Sequence, residues 1–234
     1  MATATFDRLY IWERPVRLYH WVTASSVVVL VATGLLIAHP PALVSGADAS
    51  SSYRFGIVRL IHFIAAFAFT FMFVLRVYWM FAGNRYANWR NFLPITPSLF
   101  KRQFAQVKQV VKVDVLQIQV EPTEIAGHNA LAAWTYTCLF AATVFQMATG
   151  FSLYAPMSGS WLPQLFTWVT PLMGGDAVVR QWHHIAAWFF ILFTGVHVYL
   201  SVYHDIVESR GELSSMVSGS KYVKSAGQAP RTAD

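Results

Sequence analysis

Long apolar stretches alternate along the chain with short segments that carry nearly all of its charges. A helix needs about 20 apolar residues to cross the hydrocarbon core of a bilayer. The stretches without Asp, Glu, Lys or Arg cover residues 18–47, 60–75, 125–175 and 181–204. The third has room for one span and a loop, and the second continues past Arg76. The pattern predicts an all-α membrane protein with four transmembrane helices, over about 15–38, 57–81, 128–154 and 181–204.

The overall composition agrees with a membrane protein. Hydrophobic residues make up 56% of the 234 residues, and charged residues only 12%. That is roughly half the charged fraction of an ordinary soluble domain. We expect residues 1–213 to form the transmembrane domain, and residues 214–234 to form a weakly ordered tail.

The Lys and Arg residues predict the orientation of the four spans. Cytoplasmic segments of bacterial membrane proteins are rich in Lys and Arg. One side would carry Arg8, Arg14, Arg17, Arg85, Arg90, Lys101, Arg102, Lys108, Lys112, Arg210, Lys221, Lys224 and Arg231, and the other only Arg54, Arg59 and Arg180. We therefore expect both termini in the cytoplasm. Topology also accounts for the net charge of +6, without a nucleic-acid partner.

Four of the eight histidines fall deep within the predicted spans. Ionisable side chains inside a membrane are costly, and by default they mark a functional site. His39 precedes two prolines at a helix end, and His128 and His204 lie near cytoplasmic helix ends. His184 is expected to have a structural or interfacial role. The deep set is His20, His62, His183 and His197.

Helix geometry sorts the deep histidines into two pairs. His183 and His197 are 14 positions apart, which at 100° per residue puts them on one helix face, about 21 Å apart along the axis. His184 lies about 140° away from His197 on the same arithmetic. His62 falls at the depth of His183, and His20 at the depth of His197. Two imidazoles at one depth can ligate a haem iron from both sides, so we predict two b-type haems.

Three arginines precede a histidine by three positions at the start of a span. The fixed offset puts each arginine on the same helix face as its histidine and nearer the aqueous surface. We expect these arginines to pair with haem propionates. The alternative is an arginine that only extends to the membrane surface. The three pairs are Arg17 with His20, Arg59 with His62, and Arg180 with His183.

A Thr–Gly dipeptide recurs in three of the predicted spans. Glycine allows close approach of a helix or of a flat porphyrin, but it is equally an ordinary packing residue of membrane helices. We assign no catalytic role to these dipeptides from the sequence. They are Thr33–Gly34, Thr149–Gly150 and Thr194–Gly195.

The remaining sequence features indicate electron transfer between partners. Cys138 is the single cysteine, which excludes a four-cysteine iron–sulfur site and covalent c-type haem attachment. The chain has no dinucleotide-binding fingerprint and no Walker motif, so it needs a redox partner on each side.

A quinone is the predicted acceptor at the cytoplasmic end. There the segment IAGHNALAAW contains His128 and Asn129, which we predict to form a quinone site. Helix capping by this polar pair is the alternative. On the other side, the 155–181 loop is expected either to lie in the membrane interface or to dock an extracytoplasmic protein.

Several segments together resemble the b-type cytochrome subunit of membrane-bound nickel–iron hydrogenases. They extend over all four predicted spans, which makes the resemblance more specific than any single histidine. The segments are ERPVRLYHWVTASSVVVLVATG, YRFGIVRLIHFIAAF, FAGNRY, IAGHNALA and RQWHH followed by GVHVY.

The resemblance implies a four-helix subunit in the bacterial inner membrane. Its partners would be an iron–sulfur small subunit and a nickel–iron large subunit on the periplasmic face, and electrons from H2 would pass through two b haems to the quinone pool. The family's ligand pattern carries over to His20, His62, His183 and His197, each within a matching motif. No H2 chemistry is expected in this chain.

Three alternatives remain open at this stage. The first is the related cytochrome subunit of a formate dehydrogenase or thiosulfate reductase, which shares the chemistry but uses another donor or acceptor. A stand-alone cytochrome b561-like oxidoreductase would act without a partner. A non-redox anchor would use its histidines only for hydrogen bonds between helices, and would be colourless.

Overall fold

The computed structural model describes residues 6–40, 53–84, 86–89, 100–101, 104, 130–206 and 211–224. Four long helices dominate these residues, with short helices and two strands beside them. In chain order the elements are β1 (Phe6–Tyr10), α1 (Arg14–Ala38), α2 (Arg54–Ala82), α3 (Ala130–Tyr154), a 3-10 turn (Ala155–Met157), α4 (Trp161–Gln164), α5 (Val169–Leu172), α6 (Asp176–Ile206), α7 (Glu212–Ser218) and β2 (Ser220–Lys224).

The prediction of four spans is confirmed. The helices α1, α2, α3 and α6 are each long and apolar enough to cross a membrane. The largest difference is that α6 begins at Asp176, before the expected start. Gly174 and Gly175 form the preceding turn with φ angles of +93° and +116°. Asp176 then stands in the first turn of α6, where a carboxylate favours helix initiation.

The distribution of side chains in the long helices suits a lipid environment. Large apolar side chains such as Val28, Phe71 and Leu192 are exposed, whereas the hydroxyl residues Thr70 and Thr143 are buried. The Thr70 hydroxyl donates a hydrogen bond to the Ala66 carbonyl at 2.8 Å. Membrane helices pack in this way, because lipid can cover apolar side chains and buried hydroxyls need a partner inside the bundle.

The chain divides into two compact units. The first consists of Met1–Arg17, Trp79–Thr137 and His197–Asp234, and the second of Leu18–Tyr78 and Cys138–Val196. All four long helices are cut at one of these bounds.

In the first unit, the two ends of the described chain are joined. β1 pairs antiparallel with β2, with Tyr10 opposite Ser220. The backbone N–H groups of Ile11 and Trp12 both donate to the Gly219 carbonyl. Gly219 has a φ of +85°, and a Cβ there would lie 2.7 Å from the Tyr10 ring, so glycine is required. The tail expected from 214 therefore contains a helix and a strand as far as Lys224, and residues 225–234 lie outside the described residues.

A glutamate at the start of α1 organises the end of α2 within the same unit. One carboxylate oxygen of Glu13 accepts hydrogen bonds from the Trp79 indole and from the Asn84 backbone, both at 2.9 Å. The Asn84 side chain in turn donates to the Ile11 carbonyl. These bonds give the FAGNRY segment a structural role, because Asn84 fixes the chain as it leaves α2.

The second unit is packed through aromatic contacts between its helices. Phe67 of α2 contacts Phe151 of α3, and Phe69 of α2 contacts Phe190 of α6. The segment between α3 and α6 is held against the 3-10 turn that follows α3, because the Gln164 amide donates to the Ala155 carbonyl at 2.8 Å.

Candidate functional site

His62 is held between α2 and α1 in the second unit. Its Nδ1 atom lies 2.8 Å from the hydroxyl oxygen of Thr33 on α1. The next residue, Gly34, lies under the ring edge, since a Cβ at this position would be 3.4 Å from His62 Cε1. The Thr–Gly dipeptide therefore provides both a hydrogen-bond partner and the space for the imidazole.

His183 is held in the same way between α6 and α3. Its Nδ1 atom lies 2.9 Å from the Thr149 hydroxyl, and a Cβ at Gly150 would be only 3.0 Å from His183 Cε1. Thr149 is fully buried. His183 has one further contact, because the Gln146 amide lies 3.3 Å from its Nε2 atom and donates to its backbone carbonyl at 3.2 Å.

The two histidines lie at a similar depth in the second unit. Thr33 and Thr149 both stand five residues before the end of their helix, while His62 and His183 stand eight and seven residues after the start of theirs. The pairing of His62 with His183 stays a prediction.

The donor set fits a haem better than a bare metal ion. Among the described residues, no group of three or more His, Cys, Asp or Glu side chains is placed to hold a metal. A haem iron already has four porphyrin nitrogens and takes only two axial ligands from the protein. The two predicted imidazole ligands have an apolar setting, since His62 contacts Phe63 and Phe63 contacts Tyr154.

The other two deep histidines fall in different units. His20 lies in the second unit, partly buried and edge-on to Trp21 with ring centroids 5.1 Å apart. His197 lies in the first unit, nine residues before the end of α6. The pairing of His20 with His197 stays a prediction.

His184, which directly follows His183, has different neighbours from His183. The His184 ring lies edge-on to His39, with centroids 5.8 Å apart, and edge-on to Trp188 at 6.4 Å. This environment favours the structural role expected for His184, and leaves His183 as the predicted ligand. The predicted quinone residues His128 and Asn129 lie outside the described residues.

Each of the three predicted propionate partners has a protein contact in the structure. Arg17 donates to the Val217 carbonyl at 2.6 Å, and Arg180 pairs with Asp176 at 2.8 Å. The Arg59 guanidinium lies over the Phe55 ring, 5.2 Å from its centroid. The contact between Arg180 and Asp176 is well exposed, so it opposes a new partner only weakly. Propionate pairing stays a prediction.

Sequence reasoning did not identify the residues that hold the two rings. Two of the three Thr–Gly dipeptides contact a histidine, whereas a Cβ at Gly195 would meet no described atom within 4 Å. The available signal was that Thr33 and Thr149 lie at the depth of His62 and His183. The sequence pattern also did not predict that Arg76 is buried within α2. Its guanidinium lies 5.3 Å from the centroid of the Tyr19 ring.

Four apolar helices that bury imidazoles between them are typical of a membrane-bound b-type cytochrome. Comparison with known sequences agrees: the profile of the family described as prokaryotic cytochrome b561 matches residues 11–219. The chain therefore belongs to the prokaryotic cytochrome b561 family. It is a multi-pass protein of the bacterial inner membrane, and its class carries b haem and transfers electrons.

Curated relatives cover nearly the whole chain. A probable Ni/Fe-hydrogenase B-type cytochrome subunit from Azotobacter vinelandii is 38% identical over 220 residues, covering 92% of this chain and 89% of the relative. One from Cupriavidus necator is 37% identical, covering 92% and 87%. A probable Ni/Fe-hydrogenase 1 B-type cytochrome subunit from Escherichia coli K12 is 32% identical, covering 90% and 89%. The resemblance predicted from the motifs is confirmed.

Proposed function

We propose that this chain anchors a nickel–iron hydrogenase to the membrane and passes its electrons through two b haems to the quinone pool. The observation that carries the proposal is the matched holding of His62 and His183 at one depth of the bundle. The names of the relatives support the choice of a hydrogenase as the donor.

His62 and His183 would be the axial ligands of the outer haem. The two rings come from α2 and α6, while α1 and α3 hold them from behind through Thr33 and Thr149. When bound, a b haem supplies one-electron redox chemistry. The protein's contribution is to fix the two imidazoles and to exclude water with apolar side chains.

His20 and His197 would ligate the inner haem. The spacing of 14 residues between His183 and His197 supports this assignment, because it gives α6 two histidines on one face about 21 Å apart. Arg17, Arg59 and Arg180 would pair with propionates after exchanging their present contacts. His128 and Asn129 would bind the quinone near the inner haem.

The proposed partners are an iron–sulfur small subunit and a nickel–iron large subunit on the periplasmic face. The asymmetry of Lys and Arg supports this orientation, since it predicts that the His62–His183 end lies on the outer side. The joining of β1 to β2 supports having both ends of the described chain on one side of the membrane.

A haem count on the purified hydrogenase complex tests the proposed cofactors. We expect about two b haems per chain in reduced-minus-oxidised spectra. His62→Ala should remove one haem and His197→Ala the other, while His184→Ala should keep both. Full haem content in both the His62 and the His197 variants would contradict the ligand assignment.

The donor is tested separately on the same preparation. Nickel should co-purify with the chain, and H2 should reduce its haems faster than formate does. A complex without nickel whose haems are reduced by formate would instead identify a formate dehydrogenase subunit.

A further inference from the structure

The hydroxyls of Thr33 and Thr149 have their own hydrogen atoms already engaged. Thr33 Oγ1 donates to the Val29 carbonyl at 2.6 Å, and Thr149 Oγ1 donates to the Phe145 carbonyl at 2.8 Å. A threonine hydroxyl has one donor hydrogen and can still accept through its lone pairs. In both contacts with a histidine, the threonine oxygen is therefore the acceptor.

It follows that Nδ1 carries the proton in both imidazoles. A neutral imidazole with a proton on Nδ1 has its lone pair on Nε2. The Gln146 amide, a donor, lies next to Nε2 of His183, which agrees with this tautomer.

We propose that Thr33 and Thr149 are positioning residues, which hold the Nδ1–H groups of His62 and His183 so that both Nε2 lone pairs are presented to one haem iron. This rests on the proposed function of the two histidines as ligands. An acceptor on Nδ1–H also makes an imidazole a stronger donor to its metal. The two threonines therefore lower the midpoint potential of the outer haem by favouring its oxidised state.

Thr33→Val and Thr149→Val, made singly and together in the full complex, test the proposal. Valine keeps the branched shape and removes the acceptor. We expect a higher midpoint potential and an altered low-spin ferric EPR signal for the outer haem, with a larger shift in the double variant and no shift for the inner haem. Affinity for the outer haem should fall by about tenfold.

Two sets of controls separate the hydrogen bond from packing. Thr33→Ser and Thr149→Ser keep the hydroxyl and should preserve the potential. Thr70→Val removes a similarly buried hydroxyl with the same type of bond to a backbone carbonyl, and should leave both haems unchanged.

Each result decides for or against the role of the threonines. A higher midpoint potential, or loss of the outer haem, in the valine variants but not in the serine variants supports the proposal. Loss in both sets, or unchanged potential and EPR signal in the valine variants, overturns it. If His62→Ala and His183→Ala keep the outer haem, the ligand assignment itself fails, which is a different result from a failure confined to the threonines.

Discussion

The sites of His62 and His183 in the second unit share a contact between the imidazole and a Thr–Gly dipeptide. They differ in the residue that lies one helical turn before the threonine. At both sites a Thr–Gly dipeptide on one helix receives an imidazole from the next membrane span. The residue three positions before Thr33 is Leu30, and the one three positions before Thr149 is Gln146. Only the glutamine has a side-chain amide, and it contacts the ring of His183.

The common part shows what is needed to hold an imidazole in an apolar bundle. In the proposed tautomer the hydroxyl satisfies the buried Nδ1–H, which would otherwise cost about 1–3 kcal/mol. The glycine lets the helix backbone approach the ring edge. Gln146 distinguishes the two sites, because its side chain lies next to Nε2 of His183.

The largest expected effect comes from the histidine doublet beside the second site. His183→Gln should abolish the outer haem, because glutamine is a poor ligand for haem iron. His184→Gln should keep it, since the His184 ring contacts His39 and Trp188 instead. Haem content and the reduced absorption spectrum of the two variants provide the measurement. If instead His184→Gln loses the haem and His183→Gln keeps it, His184 is the ligand, and the His183 site is not equivalent to that of His62.

An intermediate effect is expected from adding a methyl group under each ring. Gly150→Ala places a Cβ 3.0 Å from His183 Cε1, so the ring must shift while Thr149 restrains it. Gly34→Ala places its Cβ at 3.4 Å from His62 Cε1, which is close to ordinary contact. We expect Gly150→Ala to lower outer-haem affinity several-fold, and Gly34→Ala to have a smaller effect.

Thermal unfolding and haem titration together check this difference. Alanine favours a helix over glycine by up to about 1 kcal/mol, so either variant can gain stability while it loses haem. Gly195→Ala is the matched control, because its Cβ would meet no described atom within 4 Å. Equal haem loss at Gly34 and Gly150 would contradict the importance of the closer contact.

The spans and the depth of the histidines could be predicted from the sequence, because both depend on distance along single helices. The role of the Thr–Gly dipeptides could not. Gly34, Gly150 and Gly195 look alike in sequence, and only the packing of neighbouring helices shows which of them lie under a ring.

Contacts between distant segments were also beyond prediction. The three-residue offset between each arginine and its histidine is visible in the sequence. The contact of Arg17 with the Val217 carbonyl is not, because the two residues are 200 positions apart. The pairing of β1 with β2 likewise joins segments near opposite ends of the chain, and the polar composition after 214 gave no sign of it.

The smallest expected effect comes from exchanging the residues that distinguish the sites. Gln146→Leu removes the donor next to Nε2 of His183 and makes this site resemble that of His62. Because a hydrogen bond between neutral groups contributes about 1 kcal/mol, outer-haem affinity should rise by no more than about fivefold. Leu30→Gln is the reciprocal change and should lower affinity by a similar factor. Haem titration of the two variants and of the double exchange measures this. A large loss of haem in Gln146→Leu would instead show that the amide supports the bound state, and that the two sites differ in function as well as in sequence.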